Sequence, residues 1–159
     1  MATEKLKFKI ELFSTYFKNP PIVEIKVGDN SYFNKEIIGT ERQPTVIEFE
    51  HDCETDKTYT LNLIRSGKTK RDTVLKDNKI IADQMLYLKY FEIDEIDLGS
   101  LIYEGVYTPI YLEPWASQQV EAGINLPKTF KNVTKMGHNG TWAFTFTSPF
   151  YMWLLENLY

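Results

Sequence analysis

Cysteine is nearly absent from this chain. A single Cys53 in 159 residues excludes an internal disulfide framework and any zinc site built from cysteine thiolates. Histidine is almost as scarce, with only His51 and His138, so material for acid–base catalysis is thin. No apolar run is long enough to cross a bilayer. The opening MATEKLKFKI interleaves charges where a secretory leader needs an unbroken apolar core. A basic excess is missing too: 18 Lys and Arg against 22 Asp and Glu leave a net charge of −4, so neither nucleic acid nor membrane is expected as a partner. There is no Gly-rich phosphate loop, no G-x-S-x-G elbow and no H-E-x-x-H pattern. What remains is a chain of ordinary hydrophobic content, the length of one globular domain, that carries no enzyme signature.

Aromatic residues, by contrast, are plentiful. Ten Tyr, ten Phe and three Trp supply large contact areas that suit strands, interfaces and sugar-stacking platforms. The plainest expectation is a well-filled β core. Leu6, Phe8, Ile10 and Leu12 alternate with Lys5, Lys7, Lys9 and Glu11, the period of a half-buried strand. Asn19-Pro20-Pro21 breaks that pattern. Val23, Ile25 and Val27 form the next alternating set, and the turn Gly28-Asp29-Asn30-Ser31 joins them to a hairpin partner at Tyr32–Ile38. Further strands are expected at Val46–His51, with Ile47, Phe49 and His51 on one side, and around Tyr59, Leu61 and Leu63. Short strands at Thr73–Leu75 and Ile80-Ile81 flank a turn at Asp77-Asn78. The strongest strand sets Leu86, Leu88 and Tyr90 opposite Met85, Tyr87 and Phe91, and runs on to Ile93, Ile96 and Leu98. Short strands spaced by turn signals, with no alternating helices, predict an all-β antiparallel sandwich of jelly-roll or carbohydrate-binding-module type.

The last third changes character. Gly105–Lys135 contains Pro109, Pro114 and Pro127 with little periodicity, and is expected as an extended arm with one helical turn near Ser117–Ala122. His138-Asn139-Gly140 is a tight turn, and Trp142, Phe144 and Phe146 alternate as a final strand. Ser148-Pro149 signals a helix start, and Phe150–Leu158 is apolar nearly all round, so it must be buried on most sides. The expected division is a β-sandwich domain over residues 1–104. Residues 105–159 then supply an extended arm, a strand and an apolar C-terminal helix for core closure or partner docking. Phe150, Tyr151, Trp153, Leu154 and Leu158 are the candidate docking residues.

Reactive groups are few. His51 and Cys53 stand two apart and would share one strand face, but such a pair needs a supporting site to make a nucleophile. Asp52, Glu54 and Asp56 alternate like calcium-loop ligands, yet lack the central Gly, and Leu63 occupies the twelfth position where a bidentate Glu belongs. Asp94, Glu95 and Asp97 fit a solvated strand end. Asn132-Val133-Thr134 and Asn139-Gly140-Thr141 match glycosylation acceptors, without the leader that would give them meaning.

Two resemblances add to this. DQMLYLKYF at Asp83–Phe91 resembles the D-R-N-L-Y-V-D-Y-I strand of calcium-dependent xylan-binding modules, which are β-sandwich jelly rolls. The paired prolines before a strand and the Gly-Asp turn are similar in order, so the resemblance spans about residues 1–104. It implies that Asp83 matches a calcium-ligating Asp and that Leu86, Tyr87 and Tyr90 match the core strand. Lys89 stands where the family has Asp, and Ser66-Gly67 falls near its upstream acidic pair, so a calcium ion would be held weakly. The segments EPWASQQVEAG and NGTWAFTFTSPFYMWLLENLY resemble the ends of small accessory proteins of T4-like tailed phages of cyanobacteria. That resemblance implies a virion component, a capsid decoration or tail-associated protein.

The resulting expectation is a non-enzymatic structural protein of a phage virion. It would be assembled in the host cytoplasm, be anchored to capsid or tail proteins and be capable of oligomeric assembly. The alternative is a glycan-binding module aiding attachment to a cell surface. No metal or other cofactor is expected beyond the Ca2+ that the first resemblance raises at Asp83.

Overall fold

A computed structural model of the chain describes residues 2–158. The strands are β1 (Thr3–Thr15), β2 (Ile22–Val27), β3 (Asn30–Glu36), β4 (Thr45–Glu54), β5 (Thr58–Ser66), β6 (Val74–Lys76), β7 (Lys79–Ala82), β8 (Met85–Ile93), β9 (Ile96–Asp97), β10 (Val106–Ile110), β11 (Phe130–Lys131), β12 (Lys135–Met136) and β13 (Asn139–Thr147). Two α-helices, α1 (Trp115–Glu121) and α2 (Phe150–Leu158), and a 3-10 helix at Gly99–Glu104 complete the described residues. One sheet has the order β12-β8-β1-β4 with β9 on β8, and the other β11-β10-β13-β5-β2-β3. Strands pair antiparallel throughout. The fold is an all-β antiparallel sandwich with a short C-terminal helix.

Period-two patterning explains which residues meet. Leu6, Phe8, Ile10 and Leu12 of β1 are buried from one sheet, and Val23, Ile25, Val27, Leu61 and Leu63 from the other. Their charged neighbours stay on the outer faces, as the pleat requires. The aromatic excess fills the space between the sheets. Phe91 lies 5.3 Å from Phe144 and 6.1 Å from Trp142, and Phe8 lies 6.0 Å from Phe146, ring centre to ring centre. These are tilted and edge-on geometries that aromatic quadrupoles favour.

Three expectations need correction. Tyr90 was expected beside Leu86 and Leu88, with Phe91 opposite. Instead Glu11 faces Tyr90 while Leu12 faces Leu88, so Lys89 is an extra residue in β8. This bulge shifts the phase by one, and Leu86, Leu88, Phe91 and Ile93 all face the core. Residues 105–135 are not simply an arm, because Val106–Ile110 is a strand between β11 and β13. Pro109 hid it. Pairing with β11 reaches only Val106 and Tyr107, so Pro109 lies where β10 has become an edge, the position a strand proline tolerates. Finally, residue 104 is not a boundary. Strand β13 lies inside the second sheet, between β10 and β5, so the sandwich is one unit with a core drawn from both halves.

The same packing fixes two glycines. A Cβ on Gly105 would sit 2.3 Å from the indole of Trp142, and one on Gly140 2.3 Å from the carbonyl oxygen of Thr108. The chain passes flat against the core indole at the first and against β10 at the second.

Residues 1–104 expressed alone should therefore fail to give dispersed amide resonances, because β5 loses β13 and Phe91 loses Trp142 and Phe144. Gly105→Ala in the whole chain should fold but lose about 1–3 kcal/mol to overpacking, read from the denaturant midpoint.

Candidate functional site: the C-terminal helix and the Asp83 corner

Helix α2 is seated by a carboxylate from the far end of the chain. Ser148 was the expected cap, but its hydroxyl donates to Glu4, and the same Glu4 oxygen accepts the Phe150 N–H at 2.7 Å. A carboxylate there satisfies an orphan N–H and complements the positive end of the helix dipole. Phe150 then packs on Phe146 at 6.1 Å, and Trp153 on Phe144 at 5.7 Å. Leu154 is buried with them. Of the five candidate docking residues, Phe150 and Leu154 are thus committed to the chain's own core and unavailable to a partner, with Trp153 half-buried beside them. Tyr151 and Leu158 point outward. Met152 and Leu155, which the sequence pattern did not single out, join them: all four are more than half exposed. Successive turns carry Tyr151, Leu155 and Leu158 along one stripe. The helix is apolar on both faces, and only one of them is covered. Among the described residues no helix is long and apolar enough to cross a membrane.

A second exposed apolar group was missed. Strands β6 and β7 form a hairpin outside both sheets, turned by Asp77 and Asn78 at positive φ, the backbone of a tight two-residue connection. Leu75, Ile80 and Ile81 on it are each at least 60% exposed.

Asp83 lies in a buried ionic corner. Its Oδ1 accepts hydrogen bonds from the Lys68 ammonium at 2.9 Å, the Thr73 hydroxyl at 2.7 Å and the Gln84 N–H at 2.8 Å. Burial opposes its ionisation, but these three bonds and the Lys68 charge outweigh it and hold the carboxyl below its usual range. Lys68 also donates to the Gly137 carbonyl at 2.6 Å. Arg65, almost wholly buried, donates to Asn139 Oδ1 at 2.9 Å and to the Gln84 carbonyl at 2.6 Å. The corner therefore carries its own cations where the xylan-binding resemblance implies Ca2+. One carboxylate already committed to an ammonium does not fit a hard cation that needs six or more oxygens. Among the described residues no three carboxylate, histidine or cysteine side chains converge as a metal site.

Beside this corner, Tyr111, Trp115 and His138 gather on the surface. Tyr111 is 4.8 Å from His138 and 6.0 Å from Trp115, and Trp115 is 5.5 Å from His138, centre to centre. Helix α1, around the expected helical turn, presents Trp115 at 40% exposure. Burial, then Lys68 and Arg65, lower the His138 pKa.

The His51 and Cys53 pair does not assemble. The His51 imidazole is hydrogen-bonded to the Tyr32 hydroxyl through Nδ1 and stands edge-on to Tyr59 at 5.4 Å. Cys53 approaches only the His51 backbone carbonyl. Burial, with Glu4, Asp52 and Asp94 nearby, pushes the thiol up to about 12, so it is protonated at neutral pH. Asp94 is structural: its carboxylate accepts the Lys7 N–H at 2.8 Å and tethers the β8–β9 turn to β1.

Compared with protein-family models, with curated proteins and with solved structures, the chain matches none.

Two outcomes follow from this geometry. Asp83→Ala strands the Lys68 charge and should cost about 3 kcal/mol, by equal amounts in Ca2+ and in EDTA, measured by denaturant titration. Both histidines have folded pKa values below the ordinary 6.5, so the folded state favours their neutral forms. Their contribution is complete above that value and is lost as pH falls through it, because the unfolded chain then binds protons first. Stability at pH 5 should be lower than at pH 7.5, and His138→Gln should reduce the difference.

Proposed function

We propose that this protein is a non-enzymatic structural accessory protein that docks on a partner protein through the outer face of α2, as a component of a phage virion. The observation that carries the docking is the helix with both faces apolar. One face is locked onto Phe144 and Phe146, and the other leaves Tyr151, Met152, Leu155 and Leu158 in water. Contiguous exposed apolar residues on a rigid element mark a protein-binding surface. The helix cannot rotate to hide them, because Glu4 and Phe150 fix it. The virion assignment rests on the resemblance of residues 113–159 to accessory proteins of T4-like phages. The partner is then a capsid or tail protein, and assembly takes place in the host cytoplasm.

Glycan recognition is the second reading, and its support lies at Tyr111, Trp115 and His138 rather than at Asp83. An exposed indole beside polar hydrogen-bonding groups is the material on which a sugar ring stacks.

Purified particles quantified by mass spectrometry test the first reading. The chain should be present in simple proportion to the major capsid protein for a decoration, or at a few copies for a tail component. The double variant Tyr151→Glu, Leu155→Glu should keep the fold, since neither side chain is in the core, and should be lost from the particle. Absence of the wild-type chain from particles overturns the virion assignment. If α2 variants retain binding while Trp115→Ala abolishes retention on bacterial or algal polysaccharide, the glycan reading replaces it.

A further inference from the structure

Strand β4 closes one side of the first sheet, and its free edge is left open for another strand. The Thr55 N–H donates to the Ala2 carbonyl at 3.1 Å, which sets the phase of the ladder between β1 and β4. Antiparallel alternation then turns the backbone groups of Ile47, Phe49, His51 and Cys53 toward β1. Those of Val46, Glu48, Glu50, Asp52 and Glu54 turn away. Lys7, opposite Glu50, shows the same phase, since it bonds Asp94 on the side away from β4. The Glu54 N–H is taken by the Tyr59 hydroxyl at 2.7 Å. Among the described residues, Val46, Glu48, Glu50 and Asp52 have no hydrogen-bond partner on this edge.

The edge strands β11, β12 and β3 of the two large sheets are protected in ways natural sheets use. Strands β11 and β12 are two residues long, and the pairing of β3 with β2 is interrupted by a register shift at Ile25/Lys26. Strand β4 is ten residues long, pairs with β1 without a shift, and contains neither Lys nor Pro.

Charge selects the occupant. Glu48, Glu50 and Asp52 form an exposed column on the outer face, and Lys9, Lys7 and Lys5 of β1 stand directly opposite them. The column has cations on one flank and water on the other. A second copy of β4 added antiparallel would bring acid against acid, which cross-strand pairing disfavours. We propose that the β4 edge receives an extended basic segment of another protein by strand addition, with Lys or Arg at every second position facing Glu48, Glu50 and Asp52. Main-chain bonds give such a complex its affinity, and the alternate side chains give it specificity. This surface is separate from α2 and does not depend on the docking proposed there.

The test uses the whole chain and two synthetic peptides as long as β4, one alternating Lys with Thr and one alternating Glu with Thr. Amide exchange is followed by NMR at low ionic strength. Saturating Lys peptide should slow exchange at Val46, Glu48, Glu50 and Asp52 by about tenfold or more, as a newly formed ladder protects its amides. Ile47 and Phe49, already bonded to β1, should change little, and the Glu peptide should have no effect. In the Glu48→Lys, Glu50→Lys variant the preference should reverse. The neutral Glu48→Gln, Glu50→Gln variant, which keeps side-chain size, should bind the Lys peptide about tenfold more weakly. Equal protection by both peptides, no protection by the Lys peptide, or protection in the free chain that rises with its own concentration would each overturn the proposal. The last would mean that a second copy takes the edge.

Discussion

The packing of Trp142, Phe144 and Phe146 against Phe91 and Phe8 is the interaction on which the rest of this structure depends. These three side chains lie on one face of β13 and are fully buried. They make ring contacts across the sandwich with Phe8 and Phe91 of the facing sheet. The same strand organises both ends of the molecule. At its start, Asn139 accepts hydrogen bonds from Arg65 and from the Lys68 N–H, and so ties down the ionic corner. At its end, the chain turns at Ser148 into α2, and the helix rests on the aromatic rings that β13 has already placed. There the Ser148 carbonyl accepts the Asp56 N–H at 2.7 Å and the Ser148 N–H donates to the Lys57 carbonyl at 3.0 Å, at the turn between β4 and β5. Pairing β13 with β5 joins segments far apart in the sequence, a non-local contact of the kind that slows folding.

Much of the sandwich was legible in the sequence because alternation is a local property. Leu6 to Leu12, Val23 to Val27 and Tyr59 to Leu63 declare their buried face without reference to any partner. The misreadings fall where a local pattern depends on a distant strand. Nothing near Lys89 shows that β1 will skip it, so Phe91 was assigned to the wrong face. Nothing near Pro109 shows that β11 will stop at Val106 and Tyr107 and leave the proline beside open edge.

The site was less legible for the same reason, carried further. Asp83 attracts attention as a carboxylate ahead of a strong strand, but its character comes from Lys68, fifteen positions earlier, whose ammonium sits where a metal would have to sit. Glu4 looks like one more charge in a lysine-rich strand, yet it caps a helix at the other terminus. The apolar composition of α2 was plain, and the presence of the helix with it. Which side chains belong to the core was decided by the positions of Phe144 and Phe146. The inward face became Phe150, Trp153 and Leu154, and Met152 and Leu155 were left on the outward one.

The two free surfaces differ in kind, and the difference bears on how such a protein holds a partner. The outer face of α2 offers apolar area, whose contribution grows with the surface removed from water and is almost indifferent to salt. The edge of β4 offers unpaired backbone beside an acidic column, so its contribution is directional and weakens as ionic strength rises. Both are mounted on elements fixed by the central packing: α2 through Phe150 on Phe146, and β4 through its unbroken ladder with β1. Neither surface needs to become ordered on contact, so little conformational entropy is lost on this side of an interface. A rigid sandwich that presents one apolar and one charged surface is suited to bridging two chains. Under the two proposals above, the acidic column orients a basic strand on β4, and the helix face contributes apolar burial to a separate contact.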